Sequence, residues 1–211
     1  MKKSRIWELY SLSIRIMLLS AAIWQYLTLH SYSGILLLAC WVMLAGDMLF
    51  RIIPNKKIPY GARKHFEPGP KVKATSILKA GISAINKKAA AVAVTFAIIN
   101  AAIFPFLTFE RAVILMLIYS ICDVAFILFF CPFQKFFMHN KCCNSCRIYN
   151  WDYAMMVTPL LLFPSPFSIS LIIMASVVLI RWEVAVYKNP ALFFEEISCA
   201  KCRDRLCFIK R

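Results

Sequence analysis

Apolar positions run together along this chain in long stretches, and polar residues collect between them. A helix needs about 20 mostly apolar residues to cross a bilayer core of about 30 Å. Six stretches meet or approach that length and predict six spans, at about 12–29, 35–50, 89–107, 112–130, 148–164 and 167–187. Inside a bilayer every backbone polar group must be satisfied within its own segment, so the spans are helices. The expected fold is an all-α integral membrane protein, a six-transmembrane-helix bundle.

The segments between the runs set the details. The first run follows Met1-Lys2-Lys3-Ser4-Arg5 and has the flanks of a signal peptide, but it is too long for an h-region and more spans follow it. Residues 51–88 form a long basic loop. Within it Ala74, Leu78, Ile82 and Ile85 recur at helical spacing among lysines, as in a helix lying on a membrane surface, although an ordinary solvated loop reads the same way. Ala89, Ala93, Ala97 and Ala101 recur every fourth residue in the third run and predict a small-residue seam for close packing. Pro132 stops the fourth run. The fifth run is the weakest. Tyr153–Phe163 is short and carries Pro159, so a re-entrant segment competes with a full span.

Composition agrees with this pattern. Of 211 residues 61% are hydrophobic, and mean hydropathy is +0.69. Net charge is +15. In a soluble protein that excess would suggest nucleic acid. Here it is assigned to cytosolic segments near the anionic inner-leaflet lipids of the cell membrane, with no nucleic-acid partner. With both termini and the two long loops placed in the cytosol, Arg111 alone of the 25 Lys and Arg lies outside. A re-entrant fifth segment would send Lys201, Arg203, Arg205, Lys210 and Arg211 outside, which favours six full crossings with N-in/C-in topology.

The candidate chemistry is concentrated in cysteine. Seven of nine cysteines fall in residues 131–146 and 199–207. The topology puts both pieces in the cytosol, at the base of the hairpin made by the last two spans, and packed helices lie about 8–10 Å apart. Cys142, Cys143 and Cys146 can therefore meet Cys199, Cys202 and Cys207 in a small module formed by 131–147 and 188–211. A reducing cytosol disfavours structural disulfides. Two Cys-x-x-Cys pairs, Cys143/Cys146 and Cys199/Cys202, match a four-thiolate site, either zinc or an iron–sulfur cluster. A redox-active or persulfide-handling dithiol fits the same residues, and so does the absence of any site. Lys141, Arg147, Lys201, Arg203 and Arg205 would offset thiolate charge. His139 is read as an interfacial histidine beside Phe136 and Phe137, able in principle to replace a cysteine. Cys131 is left spare, and Cys40 and Cys122 are read as small apolar fillers.

A second group is charged or polar within the spans. Asp123 lies roughly 13 Å into the bilayer from Pro132 at 1.5 Å per residue, a depth at which an acid faces the bundle interior. Arg15, Asp47, Arg181 and Glu183 lie in the same inner half, and Asn100 lies near the midplane. The bland reading has Arg15 and Arg181 reaching for the interface and Asp47 pairing with Arg51 at i, i+4. Trp151 and Tyr153 read as interface anchors and Asp152 as a cap or first-turn acid.

Phosphate loops, zinc-protease helices, nucleophile elbows and covalent haem motifs are absent, and five glycines make phosphate cradles implausible. Three functions remain. One is a membrane redox or metal protein, with a cytosolic redox or protein partner. One is a transporter in which the cysteine module is a clasp and Asp123 and Arg181 line the path. One is an intramembrane enzyme acting on a lipid.

Overall fold

The computed structural model describes residues 2–53, 76–139 and 146–190, and all regular structure among the described residues is helical. Among the described residues six α-helices follow in order: α1 Lys2–Leu29, α2 Gly34–Ile52, α3 Ser76–Ile103, α4 Phe109–Leu128, α5 Asp152–Val157 and α6 Pro166–Lys188. Five stretches within these are long and apolar enough to cross a membrane. Their outward faces are apolar too, with Trp24, Ile35, Ile98, Phe106, Ile173 and Ile180 all well exposed. Helices that are apolar on both the packed and the outer face belong in lipid, so this is the architecture of a helical membrane protein.

Hydroxyl side chains start three of the helices. Ser33, Thr108 and Ser165 cap α2, α4 and α6 by accepting from the amides of Leu36, Arg111 and Ser168. Pro166 follows at the first helical position of α6, where its missing N–H leaves nothing unsatisfied. The three caps share one end of the bundle. There the Tyr32 hydroxyl donates to the Glu110 carbonyl, and Phe109 meets Phe163 and Phe167 edge to face.

Packing follows the inward stripes. On α2 the buried row is Leu36, Cys40, Leu44 and Met48, every fourth residue. On α6 it is Ser168, Leu171, Ala175, Val178, Trp182 and Ala185, alternating three and four, the seam of a shallow left-handed crossing. α1 lies along α4, α2 lies along α6, and α5 is wedged between α4 and α6.

Helix α3 differs from expectation in two ways. The proposed surface helix and the third span form one continuous helix through Lys87 and Lys88. No proline interrupts residues 76–103, and alanine carries the helix across the charged stretch. At 28 residues α3 is roughly 42 Å long, beyond a bilayer core of about 30 Å. The alanine row is also not the packed one. Ala89 is buried, but Ala97 and Ala101 are exposed. The inward row is Val92, Phe96 and Asn100, because Tyr119 on α4 holds both Phe96, in ring contact, and Asn100, by a hydrogen bond.

The fifth run is compressed. Helix α5 has six residues and passes at Thr158 into a five-residue 3₁₀ turn through Leu162, with Pro159 at its start. Together they rise roughly 19 Å, short of a bilayer core. The segment nonetheless runs between the two ends of the bundle. Arg147, before it, bonds Glu183 near the C-terminal end of α6, and Phe163, after it, touches Phe109 at the capped end.

Candidate functional site

The end of the bundle opposite the caps carries charge, organised around three arginines. Each was brought by a different segment and each holds a carboxylate. Arg15 of α1 is 3% exposed; it donates to Asp47 of α2 at 2.5 Å and to the Ser120 carbonyl of α4 at 2.6 Å. Arg51 of α2 ion-pairs Asp152 at the start of α5 at 3.0 Å and bonds the Asn150 amide oxygen. Its guanidinium lies over the rings of Tyr149 and Tyr153, 5.3 and 4.7 Å from their centroids. Arg147 grips Glu183 of α6 through two nitrogens and donates to Asn86 of α3 at 3.1 Å. The Trp151 indole donates to the same Glu183, and the fully buried Trp182 donates to the Arg147 carbonyl. The cost of burying each cation is offset by a counter-charge and by hydrogen bonds that join separate segments.

Beside this layer a cavity of about 310 Å³ opens between α3, α4, the wide helical turn Phe133–Met138 and the entry to α5. Its rings come from Phe96, Tyr119, Phe126, Phe133 and Tyr149. Three thiols share the wall: Cys122 of α4, Cys131 just after it, and Cys146 before α5. Two carboxyl groups reach it, Asp123 and Asp152. Asp152 is already engaged, since it pairs Arg51 and its other oxygen accepts the Tyr153 amide. No described residue hydrogen-bonds or ion-pairs with Asp123.

Several expectations change here. Asp47 pairs with Arg15 and not with Arg51, because Arg51 is drawn toward Asp152 across the bundle. Arg15 does not reach for the interface; it is buried, and its two terminal nitrogens find polar partners inside the bundle. Arg181 is not on the cavity wall. It donates to the Ile52 carbonyl at 2.6 Å, a C-terminal carbonyl of α2 that no longer has a helical amide above it. Asn100 is buried and spends its amide locally, donating to Phe96 and accepting from Tyr119. Tyr153 is buried under Arg51 and is no interface anchor. Cys122, read as filler, and Cys131, read as spare, line the cavity. Of the six proposed ligand cysteines, Cys146 is described and buried, whereas Cys142, Cys143, Cys199, Cys202 and Cys207 lie outside the described residues. Among the described residues no group of three or more His, Cys, Asp or Glu converges to hold a metal. His139 is exposed, beside Phe137.

The sequence placed Arg15, Asp47, Arg181 and Glu183 in one inner layer but left out Arg147 and the pairings. One signal for a pairing was present: Arg147 and Glu183 are equally distant from the Ser165 turn, eighteen positions before and after it, and so face each other in an antiparallel hairpin. Arg51–Asp152 carried no such signal, since nothing in the sequence says which helix flanks α2.

No protein-family model, curated protein or solved structure matches this chain.

Proposed function

We propose that this is a six-crossing membrane protein in which a cytosolic thiol centre serves a small lipid-soluble molecule held inside the bundle. The observation that carries it is the cavity wall. Cys131 and Cys146 are the first and last cysteines of the cysteine-rich stretch, and both face the same apolar chamber as Cys122. Zinc or an iron–sulfur cluster on Cys142, Cys143, Cys146, Cys199, Cys202 and Cys207 would sit at the mouth of that chamber, placing a metal or redox centre beside whatever occupies it. In this reading both termini and residues 51–88 are cytosolic. The placement of Arg147 against Glu183 and Phe163 against Phe109 supports a full fifth crossing.

Protein purified without oxygen and analysed for metal and for absorbance tests the centre. Two-pair ligation predicts stoichiometric metal, lost in both Cys143→Ser and Cys199→Ser. Absorbance near 400 nm assigns a cluster and electron transfer, and zinc without colour removes electron transfer. Wild-type protein with no bound metal that also fails to bind added zinc would refute the centre.

A transporter is the second reading, favoured by Asp123 on the cavity wall. Abolition of transport by Asp123→Asn, with Cys143→Ser lowering only expression, would select it.

A further inference from the structure

The occupant of the cavity is constrained by charge. Four charged groups are close enough to act on Asp123: Asp152, Arg51, Arg15 and Glu8. Both arginines also hold carboxylates of their own. Arg15 is bonded to Asp47, and Arg51 is paired with Asp152 and held between two tyrosine rings. Each arginine therefore acts on Asp123 as well as on the carboxylate it holds. Asp123 adds a third carboxyl group, beside Asp47 and Asp152, to the two arginines, in a chamber whose remaining wall is mostly aromatic and aliphatic. A further cation in the chamber would favour the ionised form of this carboxyl group.

The rest of the wall suits such a cation. Aromatic faces attract a cation that has shed its water, by about 2 kcal/mol or more when fully desolvated. Phe96, Tyr119, Phe126, Phe133 and Tyr149 surround the space. An apolar cavity of about 150 Å³ accepts a benzene ring. The 310 Å³ here admits a ring carrying an ammonium group. A hydrated inorganic ion would instead need several oxygen ligands, and the carboxylates and amide of Asp123, Asp152 and Gln134 are too few beside five rings.

We propose that the cavity between α3, α4 and α5 binds a lipophilic organic monocation, an amine or ammonium on an apolar body, with Asp123 as its counter-charge and the aromatic wall as its cradle. This rests on the reading that the chamber holds a lipid-soluble molecule, and it names the class.

The test uses full-length protein in phosphatidylcholine nanodiscs, whose neutral surface does not concentrate cations. The probes are phenyltrimethylammonium and its neutral isostere tert-butylbenzene, matched for concentration in the bilayer. The readout is the rate at which N-ethylmaleimide alkylates Cys122, followed by peptide mass spectrometry, with Cys40 on α2 as the thiol off the wall. Phenyltrimethylammonium is expected to slow Cys122 alkylation by about tenfold at saturation. tert-Butylbenzene is expected to have little effect. Asp123→Asn should remove the protection, and Asp123→Glu should keep it, which also shows that a substituted position 123 still folds. Equal protection by both probes, or undiminished cation protection in Asp123→Asn, would overturn the cation assignment while leaving the chamber as a binding site. No protection by either probe would overturn the chamber reading itself.

Discussion

Removing the Asp152 carboxylate strands a buried cation. Arg51 and Asp152 have side chains only 12% and 8% exposed, and they join α2 to the start of α5. In Asp152→Ala, Arg51 keeps Asn150 and the rings of Tyr149 and Tyr153 but loses the carboxylate it is paired with. Breaking one side of a buried pair costs about 3–5 kcal/mol, roughly two to four decades in the unfolding equilibrium. Neutral interhelical hydrogen bonds in membranes average only about 0.6 kcal/mol, so a loss of several kcal/mol would report the charge and not the bond. Asp152→Asn separates the two: it keeps the shape and a polar partner and should still cost most of the full amount. Replacing both partners, Arg51→Met with Asp152→Leu, should recover most of the loss, because the desolvation penalty goes with the charge. The assay is unfolding in mixed micelles with increasing dodecyl sulfate, followed by far-UV circular dichroism. A loss below about 1 kcal/mol for Asp152→Ala, or a double variant as unstable as the sum of the singles, would refute the account of a desolvated pair.

Two further outcomes follow from the packing. Tyr119→Phe removes the donor to Asn100 while leaving the ring against Phe96, so a loss of about 1 kcal/mol is expected in the same assay; no change would mean that the Asn100 carboxamide finds another donor. Cysteines introduced singly at Ser31, Thr108 and Ser165 share the capped end, and an impermeant maleimide applied to intact cells should label all three from the outside; protection at 165 with labelling at 31 and 108 would rule out a full fifth crossing.

Three runs of the sequence contain their own explanation. Residues 34–52, 109–128 and 166–188 are apolar over a membrane thickness, begin at Ser33, Thr108 and Ser165, and form α2, α4 and α6 within a few residues of the predicted spans. The weakness of the fifth run was visible in Pro159, and the structure turns that residue into a 3₁₀ segment. Which face of a helix turns inward was harder to read. In α3 the small-residue row looked like the packing face, yet Tyr119, nineteen residues further along, selects the row of Phe96 and Asn100.

What the sequence by itself determined is therefore one-dimensional: helix, length, the apolar surface offered to lipid, and the concentration of cysteine in two segments. These follow from the chain's own backbone and its solvent. The tertiary structure alone decided the pairings. It gave Asp47 to Arg15 and Asp152 to Arg51, and it gathered Cys122, Cys131 and Cys146 around one space with Asp123. Those choices depend on which helix lies beside which and on how each is rotated about its axis. In a bilayer, where all outer faces are equally apolar, hydrophobic patterning does not set that rotation; contacts between side chains on different helices do.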